Sequence, residues 1–367
     1  MLRRILIVAG ARPNFMKIAP LLREFKTKQK YNVKLIHTGQ HYDFTMSKVF
    51  FRNLRIPRPN YYLNVGSGTH AQQTADIMYA FEKVMNKERP ELVIVVGDVN
   101  STIACSLVAA KLHCPVAHVE AGLRSFDRSM PEEINRRVTD ALSDYLFVSE
   151  KSGVINLKHE GIPDGKVFFV GNVMIDTLIS NLSAINQTSR LRGICMRGNK
   201  YCVVTLHRPQ NVDSKQSLTE ILKIFKSVSA KVSIVWPMHP RAKKMLIKFR
   251  LLKNFMAISN LVLLDPLGYI DFISLVKSAV FVLTDSGGIQ EETTYLRVPC
   301  LTMRENTERP CTIMEGSNIL VGRRKRVIIN MVNKIIKGAW KKSSIPQLWD
   351  GKASKRIVDI LARELHG

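Results

Sequence analysis

The sequence predicts an α/β protein built from two Rossmann-like domains. Short apolar, β-rich runs alternate with helical stretches along all 367 residues, a pattern typical of parallel sheets with helices on both faces. Six such runs fall in each half of the chain. Polar residues follow several of them, and ligands of such sheets bind at the carboxyl ends of the strands. The sequence therefore predicts two parallel sheets in tandem, each with a functional edge.

The individual strands can be placed from these runs. In the first half we predict strands at 5–8, 33–37, 92–96, 116–119, 145–148 and 167–170. In the second half we predict them at 201–206, 232–236, 261–264, 280–283, 299–302 and 319–321. The boundary is predicted after Asn172, which gives domains of 1–172 and 173–352 with a ligand cleft between them.

Composition narrows the class of protein. The apolar fraction is 46%, which is normal for a globular chain and excludes a disordered one. The apolar run that follows Arg3 and Arg4 is too short for a signal peptide or a membrane span, so we expect a cytoplasmic protein without membrane insertion. The six cysteines form no C-x-x-C pair and are expected to be buried and reduced. No group of Cys, His and carboxylate residues has metal-ligand spacing.

The net charge of +25 and the pI of about 10.0 are extreme. The basic residues are spread over several segments, including 26–30, 243–250, 323–326 and 337–342, and stacking aromatics do not interleave with them. We therefore predict no nucleic-acid partner and favour a solvated basic surface over a specific polyanion site.

The segment 285–292, Asp-Ser-Gly-Gly-Ile-Gln-Glu-Glu, is the strongest single functional signal. It follows an apolar run and opens a predicted helix, so its small residues leave backbone N–H groups free for a phosphate. We place Glu291 and Glu292 in the first helical turn, where one carboxylate is a candidate acceptor for a ribose diol. The pattern favours a nucleotide with a diphosphate. The alternative is an ordinary strand–turn–helix corner whose acids only complement the helix dipole.

Other strand ends also carry functional residue types. Arg12, Asp98, Glu120 and His207 each follow or end a predicted strand. Each has a structural alternative when taken alone, and Asp98 in particular is a candidate cap for a helix over 99–110. Four strand ends that deliver Arg, Asp, Glu and His together favour a chemical site.

Two further segments need interpretation. Residues 66–71 fit the dinucleotide pattern G-x-G-x-x-A, but the preceding run 60–65 is a poor strand, so we predict a loop that enters a helix over 69–84 instead. Residues 130–137 begin another predicted helix, in which Glu132 and Arg136 share one face. A simple i,i+4 ion pair is the alternative to a functional role for these two residues.

In their order along the chain, these motifs resemble the non-hydrolysing UDP-N-acetylglucosamine 2-epimerases. The matching motifs are Gly-Ala-Arg-Pro at 10–13, Gly-Asp at 97–98, His-Val-Glu-Ala-Gly-Leu-Arg at 118–124, Pro-Glu-Glu-Ile-Asn-Arg at 131–136, His-Arg at 207–208, the 285–292 block and Thr-Glu-Arg-Pro at 307–310. The resemblance implies a glycosyltransferase-B-like fold, with a C-terminal helix at about 353–367 that packs back on the first domain. It also implies a homodimer that needs neither a metal nor another cofactor.

The resemblance further implies interconversion of UDP-N-acetylglucosamine and UDP-N-acetylmannosamine. The C2 proton is not next to a carbonyl and no dinucleotide site is predicted, so the remaining route expels UDP to give 2-acetamidoglucal and then adds it back. By resemblance, the acid/base candidates are Asp98, Glu120 and Glu132, and His207 assists departure of the diphosphate. The residues matching the substrate site are Arg12, Lys17, Arg136, Phe272, Ser286, Gly287, Gly288, Glu292 and Arg309. The residues matching a second, activating site are Gln40, His41, Arg208 and His239, with ordinary loop polar groups as the alternative.

Two positions depart from the family pattern and keep other functions open. Asn14 replaces an acid and Cys311 replaces a glutamate, and the first change is also found in relatives that act on modified sugars. One alternative is therefore the same 2-epimerisation on a sugar such as UDP-2,3-diacetamido-glucuronate. Others are a glycosyltransferase of the same fold, a hydrolytic variant that releases free N-acetylmannosamine and, from another class, a basic nucleic-acid-binding protein.

Overall fold

The computed structural model describes residues 2–39, 51–187 and 200–365. The chain divides into two compact units. The first unit comprises residues 1–180 and 347–367, and the second comprises residues 181–346. The division lies eight residues after Asn172, inside a helix.

The first unit contains a parallel sheet of seven strands. The strands are β1 Arg3–Ala9, β2 Tyr31–His37, β3 Tyr61–Tyr62, β4 Leu92–Val96, β5 Val116–Ala121, β6 Tyr145–Val148 and β7 Val167–Phe169. Their spatial order is β3-β2-β1-β4-β5-β6-β7, so the direction of winding reverses between β1 and β4, where such sheets bind ligands. All six strands predicted for this half are confirmed. The segment expected to be a poor strand supplies only the two-residue edge strand β3.

Helices cover both faces of this sheet. They are α1 Arg12–Lys26, α2 His70–Glu88, α3 Asn100–Lys111, α4 Pro131–Leu142, α5 Lys151–His159 and α6 Val173–Gln187, with a 3-10 turn at Asp164–Lys166. Helix α2 begins as predicted, because the Thr69 side chain accepts a hydrogen bond from Gln72 N at 3.2 Å and so caps the first turn. Every second residue of the central strands, such as Val93 and Val95, packs with Phe81 of α2 in one apolar cluster.

The second unit contains a parallel sheet of six strands, again as predicted. They are β8 Tyr201–Thr205, β9 Ser233–Pro237, β10 Leu261–Leu264, β11 Phe281–Thr284, β12 Cys300–Thr302 and β13 Asn318–Leu320. The order β10-β9-β8-β11-β12-β13 repeats the winding of the first sheet, so the reversal lies between β8 and β11. The predicted α/β class with two Rossmann-like sheets is confirmed.

The helices of this unit form two layers. The elements are α7 Pro209–Val212, α8 Lys215–Ser229, α9 Pro240–Lys248, α10 Leu252–Met256, α11 Tyr269–Ser278, α12 Gly287–Leu296, α13 Pro310–Met314 and α14 Lys325–Ile336. Helices α8, α9, α10 and α14 share one apolar cluster, centred on the contacting rings of Phe225, Trp236 and Phe255. Helices α11 and α12 contribute Leu275 and Ile289 to the cluster on the opposite face.

The last helix, α15 Ala353–Glu364, belongs to the first unit and packs on α1. Its N-terminus is held by Asp176 of α6, whose carboxylate accepts hydrogen bonds from Ala353 N at 3.1 Å and Ser354 N at 2.7 Å. Burial raises the pKa of Asp176, although the Ser354 hydrogen bonds lower it. A carboxylate at this end complements the helix dipole.

Two further observations concern the whole described chain. In that part of the protein, no helix has both the length and the apolar character needed to cross a bilayer. The five described cysteines are free and buried, and burial raises the pKa of the Cys300 thiol to about 11. They therefore act as small apolar side chains rather than as nucleophiles.

Candidate active site

The end of β5 holds Glu120 in a strained backbone conformation. Its φ angle is 76°, which is uncommon for a residue other than glycine and clusters at functional sites. The pairing of β5 with β6 shifts register between Val119 and Ala121, so the strand bulges at this residue. The carboxylate is buried and forms an ion pair with Lys17 of α1.

Gly97, at the end of β4, makes room for this pair. Its φ angle is 69°, and a Cβ atom there would lie 2.6 Å from Lys17 Nζ and 3.3 Å from Glu120 Oε2. A side chain at position 97 would therefore be strained by the positive φ and would push the Lys17 ammonium out of place. The Gly-Asp motif thus has a steric reason for its glycine.

Asp98, the next residue, forms an ion pair with Arg136 of α4. Arg136 is buried and also contacts Glu133, at 3.3 Å. The backbone of the turn is fixed as well, because Asn135 Nδ2 donates to Asp98 O at 2.9 Å. The structure thus places two carboxylate–cation pairs at the ends of the neighbouring strands β4 and β5.

The structural alternatives, a helix cap by Asp98 and an i,i+4 ion pair between Glu132 and Arg136, are both wrong. Helix α3 begins at Asn100 with Val99 as its N-cap and no side-chain cap, because the Asp98 carboxylate is paired with Arg136 instead. Arg136 pairs with Glu133 at i,i+3 rather than with Glu132. Among the described residues, no side-chain hydrogen bond or ion pair involves the half-buried Glu132, which lies in the first turn of α4.

A buried network that the sequence analysis missed supports this edge. His118 Nδ1 contacts Asp140 Oδ1 at 2.6 Å, and its Nε2 contacts Gly97 O at 2.8 Å. The other Asp140 oxygen accepts from Gly122 N at 3.0 Å and pairs with Arg124 at 2.7 Å. Burial acts to raise the pKa of Asp140, but His118 and Arg124 outweigh it and the net pKa is lowered. His118 and Arg124 lie in the 118–124 motif, whereas no pattern pointed to Asp140.

The side chain of Asn14, one of the two departures from the family pattern, forms hydrogen bonds with backbone atoms. Its Oδ1 accepts from Gly10 N at 3.0 Å and Ala11 N at 2.9 Å, and its Nδ2 donates to Val96 O at 3.0 Å. An ionised carboxylate has no donor for Val96 O. The amide therefore ties the β1–α1 turn to the end of β4. The side chain of the neighbouring candidate Arg12 lies outside the described part of the structure.

In the second unit, Asp285 organises the equivalent edge. Its buried carboxylate accepts from His207 N at 3.0 Å, Arg208 N at 2.9 Å and Asn211 Nδ2 at 2.9 Å. It also pairs with His207 Nδ1 at 2.9 Å. Burial acts to raise the pKa of Asp285, but His207, Asn211 and Arg208 N outweigh it and the net pKa is lowered. Asp285 had no predicted role of its own.

This contact orients His207. With Nδ1 held by a carboxylate, Nε2 is the ring nitrogen left to exchange a proton. The His239 ring lies 5.4 Å from the His207 ring, and its Nδ1 accepts from Arg241 N at 3.2 Å as the cap of α9. Arg208 Nε donates to Asp285 O at 3.0 Å. Gln40 and His41, the other members of the expected activating site, lie outside the described residues.

The glycine-rich turn leads directly into α12. Ser286 is the N-cap, and Gly287 and Gly288 are the first two helical residues, so their N–H groups belong to the set without intrahelical acceptors. The expectation that Glu291 and Glu292 lie in the first turn is wrong. Because the helix starts only at Gly287, both fall in the second turn.

Glu291 is engaged by another side chain of the protein. Its carboxylate pairs with Arg309 Nε at 2.8 Å, and Arg309 also pairs with Glu308. A Cβ atom at Gly287 would lie 2.7 Å from Arg309 Nη1 and 2.7 Å from Glu308 Oε1. The guanidinium is therefore held against the N-terminus of α12 by the carboxylates of Glu291 and Glu308.

Glu292 is buried beside Tyr269 of α11. Burial and the neighbouring Glu291 raise the pKa of Glu292 to about 8, while Tyr269 acts to lower it. Phe272, on the same helix, packs partly buried against the apolar cluster of Leu275 and Ile289. Glu292 and Phe272, the two candidates for contact with the nucleoside part of the substrate, therefore both depend on α11 for their position.

Gln290 is a further residue that the sequence analysis missed. Its Oε1 accepts from Thr307 Oγ1 at 2.7 Å and from Asn318 Nδ2 at 3.0 Å, and its Nε2 donates to Ser286 O at 3.2 Å. It thus connects α12 to β13 and to the loop that carries Arg309. Cys311, the second departure, is buried in α13.

The fold and these two edges define an enzyme of the glycosyltransferase-B-like α/β class. One unit carries a helix N-terminus with an arginine and an oriented histidine, and the other carries paired carboxylates. The chain belongs to the UDP-N-acetylglucosamine 2-epimerase family, whose family model, described as UDP-N-acetylglucosamine 2-epimerase, matches residues 23–362. The resemblance drawn from the motifs is therefore confirmed.

Individual relatives cover almost the whole chain. A Methanococcus maripaludis protein named UDP-N-acetylglucosamine 2-epimerase homolog is 44% identical over 360 residues, which are 98% of this chain and 99% of the relative. The crystal structure of Methanocaldococcus jannaschii UDP-GlcNAc 2-epimerase in complex with UDP-GlcNAc and UDP is 42% identical, with a TM-score of 0.91 over 98% of this chain and 99% of that one. A Pseudomonas aeruginosa protein named UDP-2,3-diacetamido-2,3-dideoxy-D-glucuronate 2-epimerase is 38% identical over 363 residues, with 98% and 99% coverage.

Proposed function

We propose that this protein interconverts UDP-N-acetylglucosamine and UDP-N-acetylmannosamine by expelling UDP and adding it back to 2-acetamidoglucal. Family membership supports the reaction class. The observation that carries the proposal is the pair of ion pairs, Lys17–Glu120 and Arg136–Asp98, at the reversal point of the first sheet. Two carboxylates on adjacent strand ends are what a C2 proton transfer on either face of a sugar requires.

The reaction balances within the substrate and these side chains. A carboxylate of the set Asp98, Glu120 and Glu132 takes the C2 proton, the electron pair of the C–H bond forms the C1–C2 double bond, and the C1–O bond breaks with its electrons on the diphosphate. Carboxylates also stabilise the positive charge that develops at C1. In the return step a proton is delivered to the other face of C2 and the diphosphate oxygen attacks C1.

The second unit serves the leaving group in this proposal. The free N–H groups of Gly287 and Gly288 and the guanidinium of Arg309 are donors for the diphosphate. His207, held by Asp285, donates from Nε2 as negative charge develops on the departing oxygen. Donors that are fixed before the reaction stabilise the transition state more than the ground state.

A modified UDP-sugar is the second candidate substrate. The 38% identical Pseudomonas relative carries that specificity in its name, and Asn14 matches the pattern of such relatives. However, the Asn14 amide contacts the backbone at three points, so the departure has a structural explanation of its own. Turnover of UDP-2,3-diacetamido-glucuronate more than about tenfold faster than that of UDP-N-acetylglucosamine would favour this candidate.

We further propose that the protein acts as a homodimer in the cytoplasm. The free, buried state of its five described cysteines supports a reducing compartment. Light scattering coupled to size-exclusion chromatography measures the assembly, and a mass near 41.6 kDa would contradict the dimer.

The reaction is tested by incubating the protein with UDP-N-acetylglucosamine in heavy water and following the sugar by NMR. Epimerisation puts deuterium at C2 and produces a second UDP-sugar. Release of free N-acetylmannosamine would replace the proposal with a hydrolase. Transfer to an added acceptor without C2 exchange would replace it with a glycosyltransferase.

A further inference from the structure

The positive charge of the chain is concentrated in the second unit. The first unit contains 28 Lys and Arg against 20 Asp and Glu, whereas the second contains 27 against 10. The net charges are therefore +8 and +17, although the second unit is the smaller one. A UDP-sugar carries only two negative charges on its diphosphate, so substrate attraction does not account for this excess.

One helical layer carries most of the excess. Helices α8, α9, α10 and α14, which cover one face of the second sheet, contain eleven Lys and Arg but only one acid, Glu220, and a twelfth cation, Lys337, is the C-cap of α14. All twelve are exposed: Lys215, Lys223, Lys226, Arg241, Lys243, Lys244, Lys248, Lys253, Lys325, Arg326, Lys334 and Lys337. We refer to the outer surface of these four helices as the basic face. The opposite layer differs, since α11 and α12 contain Lys277 and three acids.

Few of these charges are neutralised by the protein. Arg241 pairs with Asp213 at 2.5 Å and Lys243 with Asp265 at 3.4 Å. Within residues 2–39, 51–187 and 200–365, no carboxylate lies at ion-pair distance from the other ten. Like charges held on one surface repel each other unless an anionic partner approaches, so the basic face is set up to receive such a partner.

The basic face also exposes apolar side chains. Met256 is 66% exposed, Ile247 58% and Ile336 38%, and all three lie among the lysines of α9, α10 and α14. A shallow cavity of about 280 Å³ opens between α8 and the end of α10, lined by Lys226, Ala257 and Ile258 among others. Aliphatic and thioether groups beside lysines suit a lipid interface, which combines headgroup charge with acyl chains.

Nucleic acid fits the same surface less well. Single strands are bound by aromatic side chains on which bases stack, combined with a basic groove. On the four helices of the basic face the aromatic residues are Phe225 and Phe255, and both are buried in the apolar cluster. Phe249, which follows α9, is half-buried against the same cluster, and the apolar groups most exposed on these helices, Ile247, Met256 and Ile336, provide no stacking platform.

We propose that the basic face adsorbs the protein reversibly to an anionic lipid surface. The lysines and arginines bind the headgroups electrostatically, while Ile247, Met256 and Ile336 enter the boundary between headgroups and acyl chains. Adsorption of this kind contributes about a fivefold gain in partitioning for each basic residue at the surface. It weakens with salt, because the Debye length falls to about 10 Å at 0.1 M.

The test is co-sedimentation of the full chain with vesicles of phosphatidylcholine alone or with 30% phosphatidylglycerol, in about 50 and 300 mM salt. We expect binding only to the anionic vesicles, and at least about tenfold weaker binding at the higher salt. The variant K223E/K226E/K334E/K337E should lose at least about 100-fold in partitioning. It should keep its epimerase rate and melting temperature, because these four residues are exposed and lie on the face of the second sheet opposite to α11 and α12.

Two comparison variants decide between explanations. K26E/K111E/K151E/K158E makes the same change in net charge at exposed positions of the first unit and should bind vesicles within about threefold of the wild-type protein. I247S/M256S/I336S should weaken vesicle binding about tenfold without affecting retention on heparin. Equal losses in the two charge variants, tight binding to nucleic acid without binding to vesicles, or no binding to either would each overturn the proposal.

Discussion

The two units of this protein share one sheet topology but carry different side chains at the equivalent edge of the sheet. Both sheets reverse their winding beside the first strand, between β1 and β4 and between β8 and β11. At the first reversal the chain presents two carboxylate–cation pairs. At the second it presents an aspartate-bound histidine and a helix N-terminus with an arginine. The same backbone geometry therefore carries carboxylates, the groups proposed for proton transfer, in one unit and N–H donors, the groups proposed for diphosphate binding, in the other.

The difference shows that topology decides where a site lies and side chains decide what it does. In each unit a buried carboxylate holds the functional edge. Asp140 holds His118 and the turn at Gly97 in the first unit, and Asp285 holds the His207 turn in the second. If the roles are divided as proposed, lesions in the first unit should abolish proton exchange, whereas lesions in the second should weaken nucleotide binding and departure.

The largest effect is expected from the carboxylates of the first unit. Asp98→Asn or Glu120→Gln should lower kcat by at least about 100-fold, the usual scale for an acid/base group. Deuterium incorporation at C2 should fall equally, while UDP binding measured by calorimetry should change less than about threefold. The exposed Asp164→Asn in the same unit is the matched control and should leave turnover unchanged. Turnover close to wild type in both variants would remove these carboxylates from the mechanism.

Asp285→Asn should lower kcat by about 10- to 100-fold, because the amide no longer fixes His207 for proton exchange. The free energy of unfolding should fall by about 2–4 kcal/mol, since a charged acceptor of several buried donors is lost. The lowered pKa of Asp285 also means that its stabilising contribution is present above about pH 4, the unfolded value. That contribution is lost as the pH falls through the lower folded value.

Urea titrations of both proteins at pH 7 and pH 3 measure this effect. The difference in stability between wild type and Asp285→Asn should narrow at the lower pH. A gap that stays constant would mean that Asp285 is not ionised in the folded protein.

Gly287→Ala tests the close approach of Arg309 to α12. The new methyl group would lie 2.7 Å from Arg309 Nη1, so the guanidinium must move away from the helix N-terminus. We expect KM for the UDP-sugar to rise about tenfold with a smaller change in kcat. Gly165→Ala, where an added Cβ meets nothing within 4 Å, is the control. A larger loss in kcat than in binding would place the turn in the chemical step instead.

The last prediction concerns the pH dependence of stability rather than turnover, at Glu292. Because its pKa is raised to about 8 from an unfolded value of about 4.3, the folded state holds a proton that the unfolded state releases. The stability that this bound proton contributes is fully present below the pKa of the unfolded state. It decreases by about 1.4 kcal/mol for each pH unit between that pKa and the folded pKa of about 8, and it is lost above the folded pKa. Glu292→Gln should therefore be more resistant to urea than the wild-type protein at pH 8.5, with little difference at pH 5. Parallel pH profiles would show that Glu292 titrates normally.

Several elements of the site were predictable because each depends on local sequence. The strand at 280–283 and the turn at Ser286–Gly288 follow from an apolar run and small residues. The exact start of the helix did not follow, since the chain remains extended through Ser286 and shifts Glu291 and Glu292 into the second turn. The pairing of Arg136 did not follow either, because Asp98 comes from another strand end, 38 residues away.

By itself the sequence determined the alternation of strands and helices, the two sheets, the family and the residue types at each strand end. These features depend on periodicity and on contacts between near neighbours, and both can be read directly from a single sequence. The tertiary structure decided which charges meet. Lys17 reaches Glu120 across 103 residues and Asp285 reaches His207 across 78. It also decided that twelve dispersed cations share one layer of helices. Such pairings depend on the three-dimensional course of the backbone, because Coulomb and hydrogen-bond energies depend on distance in space and not on separation along the chain.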